Sequence, residues 1–214
     1  MTEELAPRFL LVDDHALLRR GLRELLGDEL PNAAFDEAAT GPEALEQAGK
    51  SRYDLVILDL SLPGRDGLDV LKELLLSIPE QLVLVLSVQA EEQYAVRALR
   101  AGAMGYVTKE TAPEELSKAV LKVLAGGKYV SARLAERLAT NLARPAGALH
   151  ESLSDRELQV LCRLGAGKSV KEIGAELSLS EKTISTYRTR ILEKMCMKTT
   201  AELVRHALLN GLVE

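Results

Sequence analysis

The chain has 214 residues, enough for one large domain or two small ones, and its 47% hydrophobic and 28% charged residues are an ordinary globular balance. Aromatics are only 3% and Trp is absent, so the core must be aliphatic; two cysteines, Cys162 and Cys196, without a CxxC or Cys/His cluster, exclude a disulfide framework and a zinc module. The net charge of −5 is uneven: the first 150 residues hold 17 basic and 23 acidic side chains, whereas Glu151–Glu214 hold 10 and 9. No apolar run approaches the ~20 residues of a membrane span. Met1–Arg8 carries acids and no apolar stretch, so no secretory leader is expected and the cytoplasm is the expected location.

Along the first ~127 residues, short apolar runs alternate with amphipathic stretches. The runs are Phe9–Val12, Ala33–Ala38 (the weakest), Leu55–Leu60, Leu82–Val88 and Tyr106–Val107. Most lack polar alternation, the mark of strands buried on both faces of a parallel sheet. Between them lie helical patterns such as Leu17, Leu18, Leu22, Leu25 and Leu26. Thr40-Gly-Pro-Glu43 and Thr111-Ala-Pro-Glu114 read as capping boxes with Pro in the first turn. Five such βα units imply an α/β domain with a doubly wound parallel sheet of order 2-1-3-4-5. After Gly126-Gly127 the pattern changes. One helix is expected within Lys128–Arg144, and Arg144-Pro-Ala-Gly147 reads as a linker. Ser154-Asp-Arg-Glu157 is a further capping box, followed by helical patterns at Val160–Leu164, Val170–Leu177, Glu181–Met195 and Ala201–Leu209. The expected division is 1–127, a linking segment 128–150, and an all-α second domain 151–214.

Ligands of doubly wound sheets sit at the carboxyl ends of the strands. Asp13 and Asp14 follow the first strand and Asp59 ends the third, its neighbour in that order, so three carboxylates converge. Such a cluster calls for a counter-ion, and oxygen donors suit Mg²⁺. Ser87 stands near the end of the fourth strand and Lys109 follows the fifth. A cation, a hydroxyl and an ammonium together stabilise the charge of a phosphoryl group, and Asp59 is the carboxylate best placed as its nucleophile. Singly, each residue has a plain structural reading: a helix cap for Asp14, a packed hydroxyl for Ser87, a solvated amine for Lys109. Their coincidence at four of the five strand ends carries the argument.

The stretches LLVDDH, DLVILDLSLPGRDGLDVLKEL, VLVLSV and AGAMGYVTKE resemble the receiver domains of response regulators over about residues 8–125. The resemblance implies that Asp59 accepts the phosphoryl group. It further implies that Asp14 holds Mg²⁺ directly, Asp13 holds it through water, and the Ser61 carbonyl completes the protein ligands. Lys109 then pairs with the phosphate, and Ser87 and Tyr106 form the switch pair. Val88, bulkier than the small residue of many receivers, narrows access to the acyl phosphate.

In the second part, Val170–Leu177, Ser178-Leu-Ser180 and Glu181–Met195 read as helix, turn, helix, with Ser180 as the cap of the second helix. Ile184, Ile191, Leu192 and Met195 form its core face. The opposite face holds Lys182, Thr186, Thr189 and Glu193, flanked by Ser185 and Arg190, as on a recognition helix in a major groove. A solvated surface helix would have a similar composition. The stretch from Leu153 to Val213 is similar to the LuxR-type DNA-binding domain, and the pairing makes the whole chain resemble the NarL/FixJ class. That resemblance implies contacts with double-stranded DNA around Lys182, Thr183, Ser185, Thr186, Arg188, Thr189 and Arg190, and a homodimer on DNA through the last helix. Some relatives carry Lys where this chain has Ser185 and Thr189. His15, His150 and His206 have no ligand spacing and are assigned no chemistry.

The expected function is therefore a response regulator that takes a phosphoryl group from a histidine kinase on Asp59 and regulates transcription at promoter DNA. A regulator of the same fold that works without phosphate is the alternative. An aspartyl-phosphate phosphatase would want a second acid two residues after Asp59, where Ser61 stands, so no enzyme is expected beyond the receiver's own phosphoryl chemistry.

Overall fold

Strands form where β-branched and leucine side chains run without polar interruption, and four of the six follow that signal. The computed structural model describes residues 6–88, 92–132, 134–136 and 149–213. The chain divides into two compact units, Met1–Leu138 and Ala139–Glu214.

In the first unit β1 (Arg8–Val12), β2 (Ala34–Ala38), β3 (Leu55–Leu58), β4 (Val83–Ser87), β5 (Gly105–Thr108) and β6 (Tyr129–Val130) make one sheet of order β2-β1-β3-β4-β5-β6. All its pairings are parallel, with Val12 beside Leu58 and Ser87 beside Thr108. β3 and β4 are buried along their whole length, whereas β2, at the sheet edge, is only half-buried. That edge position explains the weakness of its sequence signal.

The helices are α1 (Ala16–Glu29), α2 (Gly41–Lys50), α3 (Gly67–Ser77), α4 (Glu92–Arg100) and α5 (Ala112–Leu124). Phe9, Leu11, Leu55, Ile57, Leu84, Leu86 and Val107 cluster with Leu22 and Leu26 of α1 and Leu116, Ala119, Val120 and Val123 of α5. The alternate strand positions, among them Leu10, Val56, Leu58 and Val85, are equally buried and face the opposite side by the strand pleat. Each such aliphatic side chain contributes about 1.5–3 kcal/mol on burial. The core is aliphatic as the composition requires.

Two local expectations are revised. The sheet has a sixth strand, β6, drawn from the segment read as linker and helix. Two residues are too short to carry a period, and the strand docks because Gly105 leaves room: a Cβ there would lie 2.8 Å from the Tyr129 carbonyl oxygen. Ala132 and Leu134–Glu136 are helical, in keeping with the helix expected within 128–144; the remainder of that helix, and the 144–147 linker, fall on 133 and 137–148, outside the described residues. The capping box at Thr111 does not form. That residue is helical (φ −93°, ψ −4°), and its hydroxyl donates to the Glu115 carboxylate at 3.1 Å. At Thr40 the hydroxyl does accept the Glu43 N–H, at 3.3 Å.

The second unit opens with a 3₁₀ turn, Leu149–Ser152, followed by α6 (Asp155–Gly165), α7 (Val170–Leu177), α8 (Glu181–Lys194) and α9 (Thr200–Leu209). Capping boxes close at both Ser154/Glu157 and Ser169/Glu172. The α7–α8 turn is made by Ser178 in the left-handed region (φ 54°), with Leu179 N–H donating to the Gly174 carbonyl at 2.8 Å. Ile184 and Ile191 of α8, Met195 just after it, and Leu203 and Ala207 of α9 are buried. Leu208 and Leu209 of α9 stay exposed, at 51% and 73%. Among the described residues no helix is long and apolar enough to cross a membrane.

Candidate functional site

The site of the first unit is assembled by backbone bonds at the strand ends. Asp59 N–H donates to the Val12 carbonyl at 2.9 Å, so the residue after β3 sits against the end of β1. Asp13 N–H donates to the Ala38 carbonyl of β2 at 3.1 Å, and Lys109 N–H to the Ser87 carbonyl of β4 at 2.8 Å. Four neighbouring strands thus deliver Asp13, Asp59, Ser87 and Lys109 to one edge. Asp13, Asp59 and Ser87 are almost fully buried (2%, 1% and 0% exposed), whereas Asp14 is about one-third exposed.

Lys109 joins the acids. Its Nζ donates to Asp59 Oδ2 at 2.7 Å and lies 2.6 Å from Asp13 Oδ2. The second contact pairs charges without hydrogen-bond alignment, so that buried Asp13 oxygen keeps an unused lone pair. Asp59 Oδ1 accepts the Ser61 N–H at 3.0 Å. Burial pushes the Asp59 carboxyl above the usual carboxylate range; Lys109 and the Ser61 N–H pull it back, and Asp13 adds to the rise. For Lys109, burial pulls the ammonium down, but Asp59 and Asp13 outweigh it, and it titrates above its ordinary value.

Three carboxylates against one ammonium leave two negative charges uncovered. That imbalance, the oxygen donor set and the unused lone pair on Asp13 fit a divalent cation at the acidic Asp13–Asp14 cluster. Tyr106 is also buried, at 2% exposed, on the strand beside β4, whereas Val88 is 66% exposed.

Three residues of the pocket escaped the sequence reading. Arg19 of α1 donates to the Asp13 carbonyl at 2.6 Å and pairs with Glu37 at 2.8 Å, which anchors the acidic loop to α1. Gly67 opens α3 directly behind Asp59: a Cβ there would lie 2.6 Å from the Asp59 carbonyl oxygen and 2.3 Å from Leu60 Cα. His15, assigned no chemistry, brings its ring to 2.8 Å from Asp14 Oδ1 and groups with Asp13 and Asp14. The spacing of Gly67 from Asp59 held no signal without the knowledge that α3 packs against that backbone.

In the second unit, α8 is held by Ser180, whose hydroxyl accepts the Thr183 N–H at 3.1 Å and lies 2.8 Å from the Thr183 hydroxyl. Lys182, Thr186, Thr189 and Arg190 are exposed; Ser185 and Arg188 are half-buried. Thr186 donates to the Lys182 carbonyl at 2.9 Å and Thr189 to the Ser185 carbonyl at 3.1 Å. Among the described residues Lys182 and Arg190 have no ion pair, whereas Lys194 pairs with buried Glu157 at 2.7 Å and Lys168 with Glu176 at 2.5 Å. His150 and His206 also face each other here, with ring nitrogens 3.0 Å apart.

Comparison with known proteins agrees with both halves. Residues 9–121 match the response regulator receiver domain, and residues 151–207 match the bacterial regulatory proteins of the luxR family. The chain belongs to the two-component response regulators. It is 35% identical over 209 residues to the response regulator GacA of Pseudomonas aeruginosa, covering 97% of this chain and 98% of that one. It is 34% identical over 205 residues to UvrY of Escherichia coli K12, covering 95% and 94%. Among solved structures, a LuxR-family response regulator from Aurantimonas sp. superposes with a TM-score of 0.60 at 33% identity, covering 64% of this chain and 98% of that one. RcsB of Salmonella enterica serovar Typhimurium, bound to the promoter rprA in the presence of a phosphomimetic, gives 0.65 at 25% identity, covering 94% and 97%. The chain is therefore a two-component response regulator that joins a receiver to a LuxR-type DNA-binding domain.

Proposed function

We propose that Asp59 is the phosphoacceptor of this regulator and that its phosphorylation, by a sensor histidine kinase in the cytoplasm, controls binding of α8 to promoter DNA. The observation that carries this reading is the buried Asp59 carboxylate, which shares Lys109 with Asp13 at the end of the sheet. A carboxylate oxygen of Asp59 attacks the phosphorus of the kinase phosphohistidine. The P–N bond breaks, and the imidazole keeps the electron pair. Hydrolysis later returns the carboxylate and inorganic phosphate, so the receiver catalyses only its own phosphoryl chemistry. Asp13, Asp14, Asp59 and the Ser61 carbonyl would hold Mg²⁺, which would supply positive charge to offset that of the phosphoryl group. Lys109 moves from sharing two carboxylates to pairing with the phosphoryl group.

The phosphoryl group brings roughly two negative charges and three acceptors. The Ser87 hydroxyl and Lys109 gain contacts only in that state, which is the differential interaction a population shift requires. Tyr106, inward behind Ser87, completes the switch pair. In the second domain, Lys182 and Arg190 contact phosphates, Ser185, Thr186 and Thr189 face bases, and Thr183 and Arg188 flank them. Two copies on one operator, joined through the exposed leucines of α9, supply the affinity that a single module lacks. The boundaries 1–127, 128–150 and 151–214 describe this division of labour, with the middle segment as the connection.

Acetyl phosphate uptake, followed on a phosphate-affinity gel, tests the assignment. The full chain takes up phosphate in Mg²⁺, and Asp59→Ala takes up none. Uptake by Asp59→Ala, or equal uptake without a divalent cation, contradicts it.

A further inference from the structure

We infer that Thr186 and Thr189 read DNA bases as hydrogen-bond acceptors only, so that this regulator prefers adenine or cytosine to guanine or thymine on the strand these residues face. The inference rests on the DNA-binding reading above and deepens it to base chemistry.

A threonine hydroxyl has one proton and two lone pairs, and when free it serves as donor or acceptor to any base. Neither hydroxyl is free in that sense. Thr186 gives its proton to the Lys182 carbonyl at 2.9 Å, and Thr189 gives its own to the Ser185 carbonyl at 3.1 Å. Each is a bond to the carbonyl four residues back, a regular option for threonine inside a helix. What remains for a partner is lone pairs. Both residues are exposed, on the face opposite buried Ile184 and Ile191.

In the major groove adenine and cytosine offer amino donors, whereas guanine O6 and thymine O4 are acceptors. A committed acceptor therefore gains a bond at A or C and meets lone-pair repulsion at G or T. A lysine or arginine at these positions would favour guanine instead. Thr186 and Thr189 are three residues apart, roughly 4.5 Å along the helix, against 3.4 Å per base step, so they address adjacent or next-adjacent base pairs. Thr183, close in sequence, is different: its hydroxyl is 2.8 Å from that of the cap residue Ser180.

The test is a binding selection from random duplex DNA with the full chain, acetyl phosphate and Mg²⁺. It compares wild type, Thr186→Val, Thr189→Val and the two Thr→Ser variants. The wild type selects a motif with A or C at two nearby positions. Each Val variant, which keeps the shape and loses the oxygen, still binds and flattens the preference at one of them by about three- to tenfold, the size of one neutral hydrogen bond. The Ser variants keep the preference. Val variants with unchanged preference, Ser variants that lose it, or G or T at the affected positions overturn the acceptor assignment alone. A wild type that binds no duplex DNA overturns the DNA-binding reading, and this inference with it.

Discussion

The receiver pocket and the outer face of α8 solve opposite problems with the same kinds of residue. In the pocket, Asp13, Asp59 and Lys109 are taken out of water and held against one another. On α8, Lys182 and Arg190 stay in water and pair with nothing among the described residues. Charge that is buried and crowded together builds a reaction site, whose parts act only together. Charge that is exposed and unspent is available to a large polyanion, and its parts act nearly independently. Substitutions in the pocket should therefore be severe and coupled, and those on α8 mild and additive.

The largest expected effect lies behind Asp59. Gly67→Ala forces a methyl group into the backbone of Asp59 and Leu60. It should cost the receiver unit about 3 kcal/mol in denaturant unfolding, the upper end for an overpacked site, and leave the helical unit unchanged. An unchanged receiver midpoint would mean that the pocket is less tightly built than described.

Glu157 is the exception that tests the rule for the second unit, because it is buried there and pairs with Lys194. Burial alone would raise its pKa; the Lys194 and Ser154 bonds outweigh burial and hold it below the usual glutamate value. A lowered folded pKa gives stability that is present above the unfolded value and lost as pH falls through the folded one. The helical unit should lose stability as pH falls through the acidic carboxylate range, and Glu157→Gln should remove most of that pH dependence. Thermal melting against pH checks this.

Asp59 has the opposite sign. Its raised pKa favours the protonated fold, so its contribution is present at low pH and lost as pH rises. At neutral pH the buried charge is a cost, and Asp59→Asn should stabilise the receiver while phosphate uptake disappears. Added Mg²⁺ should raise the melting temperature of the wild type and do so less for the variant.

The smallest effects belong to α8. Lys182→Ala and Arg190→Ala should each weaken binding equally for all DNA sequences and lower the salt slope of the affinity by about 0.9. Binding titrations at several salt concentrations give both quantities. A sequence-dependent loss would make them base readers instead.

This contrast also explains what the sequence disclosed. β3 and β4 were legible because burial on both faces writes an unbroken apolar run, and the carboxylates followed because strand ends are fixed points of such a sheet. β6 was not legible, since two residues carry no period and their docking depends on the missing Cβ of Gly105. Gly67 and Arg19 were missed for a related reason: their roles exist only across tertiary contacts. On α8 the core face was plain from Ile184, Ile191 and Met195. Its outward face was legible only by resemblance, because polar residues on a surface helix obey no burial rule. The commitment of the Thr186 and Thr189 protons needed coordinates.

The central claim is that phosphorylation of Asp59 changes what α8 does. Its most direct test is the affinity of the full chain for a selected operator, at fixed salt and Mg²⁺, with and without acetyl phosphate. Wild type should bind roughly 5- to 150-fold more tightly when phosphorylated, the usual range of coupling between two sites, and Asp59→Ala should not respond. Equal wild-type affinities in the two states, or an equal response from Asp59→Ala, would contradict it.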